Sequence, residues 1–203
     1  MAKIGVLLWD VGGVLLSNGW DREARRQAAA RFGLDANELE RRHEALAVPL
    51  ETGRLDWEGY LDRAVFYEPR DFTPGEFRQL VWDRSTPFPG AIDCARALHD
   101  QGTIRMAMLN NESRELNEFR LEKFGLRPLF DVFLSSCYTG RLKPDPEAFR
   151  LALDVTQQPA EACLFLDDRP ENIEAAARLG LRTLRVRDPN RLREDLLAAG
   201  ISP

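Results

Sequence analysis

Four places in the 203-residue chain put polar side chains directly after, or close to, short apolar runs. Asp10 closes IGVLLW, and Asn110 with Asn111 closes IRMAML. Lys143 lies in GRLKPDPEAF, and Asp167 with Asp168 closes ACLFL. Together they would offer carboxylates, amides and one ammonium. Paired carboxylates can hold Mg²⁺, a hard cation that prefers oxygen ligands. Lysine offsets negative charge, and an amide N–H can donate to a phosphoryl oxygen. One carboxylate can act as nucleophile and form an aspartyl-phosphate that water then hydrolyses. The set therefore suits phosphoryl transfer.

These side chains converge only if the runs before them are strands of one sheet. Residues 4–9, 104–109, 130–134, 162–166 and 182–186 are short apolar runs of buried-strand type. Helical patterns lie between them: AIDCARALHDQG with a C-cap at Gly102, SRELNEFRLEKFG, PEAFRLALDV and PENIEAAARLG. Strands alternating with helices predict a parallel sheet covered on both faces. In such a sheet ligands bind beyond the carboxyl ends of the strands, near a switch in strand order.

Residues 18–86 read differently. No strand is expected there, and helical signals dominate: DREARRQAAARFG, DANELERRHEALA, DWEGYLDRAVF and TPGEFRQLVWD. Asp35 with Glu38 has capping-box spacing, and Thr73, Pro74 and Glu76 mark another helix start. STPFPG, residues 85–90, reads as the return linker.

The order and spacing of the four motifs resemble the haloacid dehalogenase superfamily, in particular its phosphatase-like members with a helical cap inserted after the first motif. LLWDVGGVLL is similar to the first motif, AMLNN to the second, GRLKPDPEAF to the third and CLFLDDRPENIEAA to the fourth. The resemblance implies an α/β fold: a Rossmann-like parallel sheet with helices on both faces plus an inserted all-helical cap. The core would comprise residues 1–16 and 87–203, and the cap residues 17–86. It implies Asp10 as nucleophile and metal ligand, with the Gly12 carbonyl as a second ligand to Mg²⁺. Asn110 would bind phosphate, followed by Asn111. Lys143 would balance charge, Asp168 would ligate the metal, and Asp167 would be a ligand or its outer partner. Asn172 would orient those carboxylates. The substrate would be a small phosphorylated metabolite.

Two positions depart from that pattern. Family phosphatases commonly carry a second Asp two residues after the nucleophile, which protonates the leaving oxygen and later activates water. Here that position is Gly12. General acid–base catalysis is typically worth about 10²–10⁴-fold. The leaving group could need little protonation, as in anomeric sugar, aryl or acyl phosphates. A cap residue or the substrate could supply the proton, or the protein could be a catalytically weak phosphometabolite binder. The second departure is Asn110 in place of Ser or Thr. A metal-independent 2-haloacid dehalogenase is the other enzymatic reading, but the pair Asp167–Asp168 argues for phosphate.

Bulk properties exclude other classes. Apolar residues at 44% and charged residues at 30% describe a folded chain, not a disordered one. A net charge of −5 argues against a nucleic-acid binder working through a global positive field. The three cysteines, Cys94, Cys137 and Cys163, form no CxxC pair, which suits reduced thiols and a cytoplasmic location. The run in MAKIGVLLWD is short and interrupted by Asp10, so neither a signal peptide nor a membrane span is expected. Oligomeric state is open.

Several residues have plain structural readings. Asp10 before a Gly pair could cap a turn, and Asp167–Asp168 could simply complement a helix dipole. His43 reads as a solvated or partly packed face residue and a minor candidate for the missing acid. Arg54 reads first as solvent-facing, although a cap arginine could meet an anionic substrate. Trp20 could line the pocket. His99 reads as an ordinary polar residue near a helix end, and Cys94 and Cys163 as small core residues.

Overall fold

Five strands form one parallel sheet in the computed structural model, which describes residues 3–203. The first two residues of the expected core lie outside that range. In chain order the elements begin with β1 (Val6–Trp9). Helices α1 (Arg22–Phe32), α2 (Ala36–Glu51), α3 (Trp57–Ala64) and α4 (Pro74–Asp83) follow. Next come α5 (Pro89–Gln101), β2 (Arg105–Met108), α6 (Arg114–Lys123), β3 (Val132–Phe133) and α7 (Ser136–Thr139). The chain closes with α8 (Pro146–Thr156), β4 (Cys163–Asp167), α9 (Pro170–Arg178), β5 (Arg182–Arg185) and α10 (Leu192–Ala198).

The sheet order is β3-β2-β1-β4-β5. β1 is central, flanked by β2 and β4, so the order switches at its carboxyl end, where a crevice is expected. Trp9 is in register with Met108 and with Leu166, which sets Asp10 beside the end of β4. The Asp10 amide donates to Leu166 O at 2.9 Å.

Alternation along the strands divides the core. Leu7 and Trp9 pack on one face with α5 and α10, through Ala95, Leu98, Leu192 and Leu196. Val6 and Leu8 pack on the other with α8 and α9, through Phe149, Ala152, Ala175 and Ala176. Each fully buried aliphatic side chain contributes about 1.5–3 kcal/mol. The central strands are thus apolar on both faces, and their first polar side chains appear where they end.

The segment between β1 and α5 is helical and contains no named strand. Its apolar residues form a third cluster around Trp57, Tyr60, Phe77 and Val81, joined by Leu116 of α6. Thr73 and Glu76 make the reciprocal capping box expected of them. Asp35 caps α2 through the amides of Asn37 and Glu38, but Glu38 does not return the bond. Its carboxylate is taken by Arg41 and Arg42, at 2.7 and 2.5 Å. The Gly102 C-cap is present, in the left-handed conformation.

Candidate functional site

A cavity of about 130 Å³ opens beyond the carboxyl ends of β1 and β4 and is walled on its far side by α2, α3 and the segment before α1. Asp10 enters it from β1. Its Oδ1 accepts from the Val11 amide at 2.8 Å and from Lys143 Nζ at 3.1 Å. Lys143 Nζ also donates to Asp167 Oδ2 at 2.6 Å. One buried ammonium therefore bridges two buried carboxylates. Burial opposes its charge, but Asp10 and Asp167 outweigh that and hold the lysine protonated. Burial pushes the Asp10 carboxyl up to about 7, against the pull of Lys143 and with a push from Asp167. A cation bound beside it would reverse that shift.

Asp167 is fully enclosed. Its Oδ1 accepts from the Arg169 amide at 2.8 Å, and Asn172 Nδ2 reaches both oxygens, at 3.1 and 3.0 Å. Asn172 thus does orient this carboxylate. Asp168 differs: its buried Oδ1 has no hydrogen-bond partner among the described residues. Asp10, Asp167 and Asp168 each offer an oxygen within 4.8 Å of the others. An all-oxygen set with one unsatisfied buried oxygen fits a hard divalent cation.

The two glycines after Val11 make room for these groups. A Cβ on Gly13, at φ 74°, would lie 2.3 Å from Asp168 Oδ2. Only glycine permits both that backbone conformation and that approach. Gly12 lines the cavity next to Asn18.

Asn111 reaches the cavity edge and acts on Lys143. Its Nδ2 donates to Lys143 O at 2.8 Å and its Oδ1 accepts from the Lys143 amide at 2.9 Å. This two-point bond fixes the lysine backbone. Asn110 is placed otherwise than expected. It is buried outside the cavity lining, its Nδ2 donating to Asn117 and its Oδ1 accepting from Ser135 at 2.7 Å. Inward partners on α6 and after β3 outcompete the cavity for its amide.

A family model for haloacid dehalogenase-like hydrolase matches residues 4–180. The chain belongs to that family. Flavin mononucleotide hydrolase 1 of Arabidopsis thaliana is 25% identical over 216 aligned positions, covering 98% of this chain and 79% of that protein. Acyl-CoA dehydrogenase family member 10 of Mus musculus is 44% identical over 73 residues, covering 36% of this chain but only 7% of the mouse protein. Other relatives carry phosphatase names. A magnesium complex of a family enzyme from Bacteroides thetaiotaomicron superposes with a TM-score of 0.77 at 19% identity, covering 91% of this chain and 93% of that one.

This hydrolase brings further residues to its cavity that the sequence did not single out. Glu112 pairs with Arg120 at 2.8 Å. Arg120 also donates to Ser85 Oγ and Ser17 O, so it ties both connections of the helical segment to the core. Arg169 and Glu51 line the cavity as well. Trp20 lines it as expected, and its Nε1 donates to Tyr60 Oη at 2.8 Å. The Tyr60 hydroxyl then lies 3.0 Å from His43 Nδ1. His43 is buried and lines the cavity, not solvated. Burial, then Arg25, depresses its pKa to about 4. Its neighbours Leu39 and Leu50 on α2 are buried too, and that spacing was the available signal. Arg54 is exposed and outside the cavity.

Proposed function

We propose that this hydrolase is a Mg²⁺-dependent phosphatase that cleaves a small phosphate monoester through an aspartyl-phosphate on Asp10. The observation that carries the reading is the lysine bridge: Lys143 Nζ sits 3.1 Å from Asp10 and 2.6 Å from Asp167. It holds Asp10 against the acidic cluster while leaving the nucleophile at the cavity wall.

Asp10, the Gly12 carbonyl and Asp168 would hold the metal, with Asp167 as their anchor. Bound there, Mg²⁺ would neutralise charge on the transferring phosphoryl group. An Asp10 oxygen attacks phosphorus, and Lys143 offsets the charge gathered there. Asn111 keeps Lys143 in place. The helical wall encloses the substrate and excludes bulk water. Gly12 narrows the reaction: either the leaving group needs little protonation, as in anomeric sugar phosphates, or another residue supplies the proton. A cavity of about 130 Å³ supports a small metabolite as substrate, and no described helix is long and apolar enough to cross a membrane. Cys94, Cys137 and Cys163 are free and buried, which supports a cytoplasmic setting.

Phosphate release from aryl, acyl and sugar phosphates, with and without Mg²⁺, tests the reading. Mg²⁺-dependent release that Asp10→Asn abolishes is expected. Metal-independent halide release from a 2-haloacid would instead make it a dehalogenase. Ligand binding without turnover would make it a phosphometabolite-binding protein.

A further inference from the structure

The reaction proposed above needs a proton twice: one delivered to the leaving oxygen, one removed from the attacking water. Gly12 offers none. Asn18 fills the space beside it and carries an amide, which does not exchange protons in this range.

The other titratable groups on the cavity wall are already committed. Asp21 caps α1 through the Ala24 amide at 2.8 Å. Glu112 holds Arg120 and the Ser113 amide. Lys143 is held by two carboxylates. His43 is kept neutral with its Nδ1 on Tyr60, so it has no imidazolium proton to give. Glu171 is exposed. Glu51 is the exception: among the described residues nothing hydrogen-bonds or ion-pairs its carboxylate, although it lines the cavity that Asp10 enters.

Glu51 is also held in place. It is the last residue of α2, and Ser136 Oγ donates to its carbonyl at 2.7 Å. The same Oγ accepts from the Glu112 amide at 3.0 Å. One hydroxyl thereby fixes the backbones of Glu51 and Glu112 next to each other. The following turn lies directly on α7, where a Cβ on Gly53, at φ 70°, would come 2.4 Å from Cys137 O. The end of α2 is thus clamped to the core, with Glu51 on the cavity wall.

We propose that Glu51, reaching in from the helical segment, is the proton-transfer residue of this site in place of a carboxylate at position 12. The assignment rests on the phosphatase reading. In the first step the Asp10–phosphorus bond forms, the ester P–O bond breaks, and the leaving oxygen takes the Glu51 proton. In the second, ionised Glu51 takes a proton from water as its oxygen attacks phosphorus. The aspartyl P–O bond breaks, Asp10 is regenerated as carboxylate, and Glu51 ends protonated. Burial, then the Glu112 charge, raises the Glu51 pKa to about 7, opposed by Arg169 first and then by Arg25 and Lys143. A group poised there serves as acid and base in turn near neutral pH.

The test is the single-turnover rate of the Mg²⁺-loaded enzyme across substituted phenyl phosphates, from nitrophenyl to unsubstituted phenyl, as a function of pH. Wild type should depend weakly on leaving-group pKa and lose rate above about pH 7 on phenyl phosphate but not on nitrophenyl phosphate. Glu51→Gln should cleave nitrophenyl phosphate within about tenfold of wild type yet lose about 10²–10⁴-fold on phenyl phosphate. It should also accumulate phosphoenzyme, and Glu51→Asp should recover part of the loss. A variant with the wild-type slope and pH limb would overturn the assignment and leave the phosphatase reading standing. A steep slope in wild type itself overturns it without any variant. No turnover of any phosphate ester would overturn the phosphatase reading, and this inference with it.

Discussion

Asn18 Oδ1 stands 2.6 Å from where a Cβ on Gly12 would lie. The amide takes the space that an acidic side chain at position 12 would need. Gly12→Asp should therefore cost about 1–3 kcal/mol from overpacking. Adding Asn18→Ala should recover most of it, with a coupling of about 0.5–3 kcal/mol in a double-mutant cycle. Urea denaturation of the four proteins checks this, and strict additivity would mean that the two positions do not compete.

Lys143 bridges two carboxylates that water barely reaches. Lys143→Met leaves them facing each other and should cost about 3–5 kcal/mol at neutral pH. Metal-dependent phosphate release should fall at least about 10²-fold, because the nucleophile loses its charge partner. Chemical denaturation and a phosphate assay read the two effects separately.

Burial holds His43 well below the ordinary histidine range. Its folded-state pKa is about 4 against 6.5 in the unfolded chain. The unfolded state therefore takes up the proton first as pH falls. The stability His43 contributes is present above about 6.5 and is lost as pH drops toward 4, by at most about 3 kcal/mol. His43→Asn should flatten this acid limb in denaturation measured from pH 7 to 4, whatever it does to stability at pH 7.

Glu51 titrates the other way. Its folded-state pKa of about 7 lies above the ordinary 4.5, so the folded chain holds the proton longer. Its burial is tolerated below about pH 4.5 and becomes costly as pH rises toward 7. Glu51→Gln should thus be more stable than wild type at pH 8, by about 2–3 kcal/mol at most, with the gap closing by pH 4.5. Melting curves at the two pH values check the sign. The cost in wild type is one that functional sites commonly carry.

Much of this was readable from residue order. Each expected strand overlaps an observed one, and the central β1 and β4 were the plainest because they are buried along their whole length. Asp10, Asp167 and Asp168 were visible because polar side chains can appear only where such a run ends. Asn110 misled for a physical reason: its partners, Asn117 on α6 and Ser135 after β3, lie on other elements and turn its amide inward. Glu51 was missed because the helical stretch expected there, DANELERRHEALA, stops four residues short of it. The helix continues to Glu51 because its end is otherwise satisfied. Thr52 Oγ1 bonds Val48 O, and the amides of Arg54 and Leu55 bond Pro49 O. The capping box expected of Glu38 gave way to two nearby arginines.

Asp10 carries the central chemistry. The most direct measurement is rapid acid quench of the enzyme turning over a phosphate ester with Mg²⁺, followed by mass spectrometry of the peptide that carries Asp10. A phosphoryl group on Asp10 is expected, absent without Mg²⁺ and absent in Asp10→Asn. Phosphate release at full rate with Asp10 never modified would contradict that chemistry.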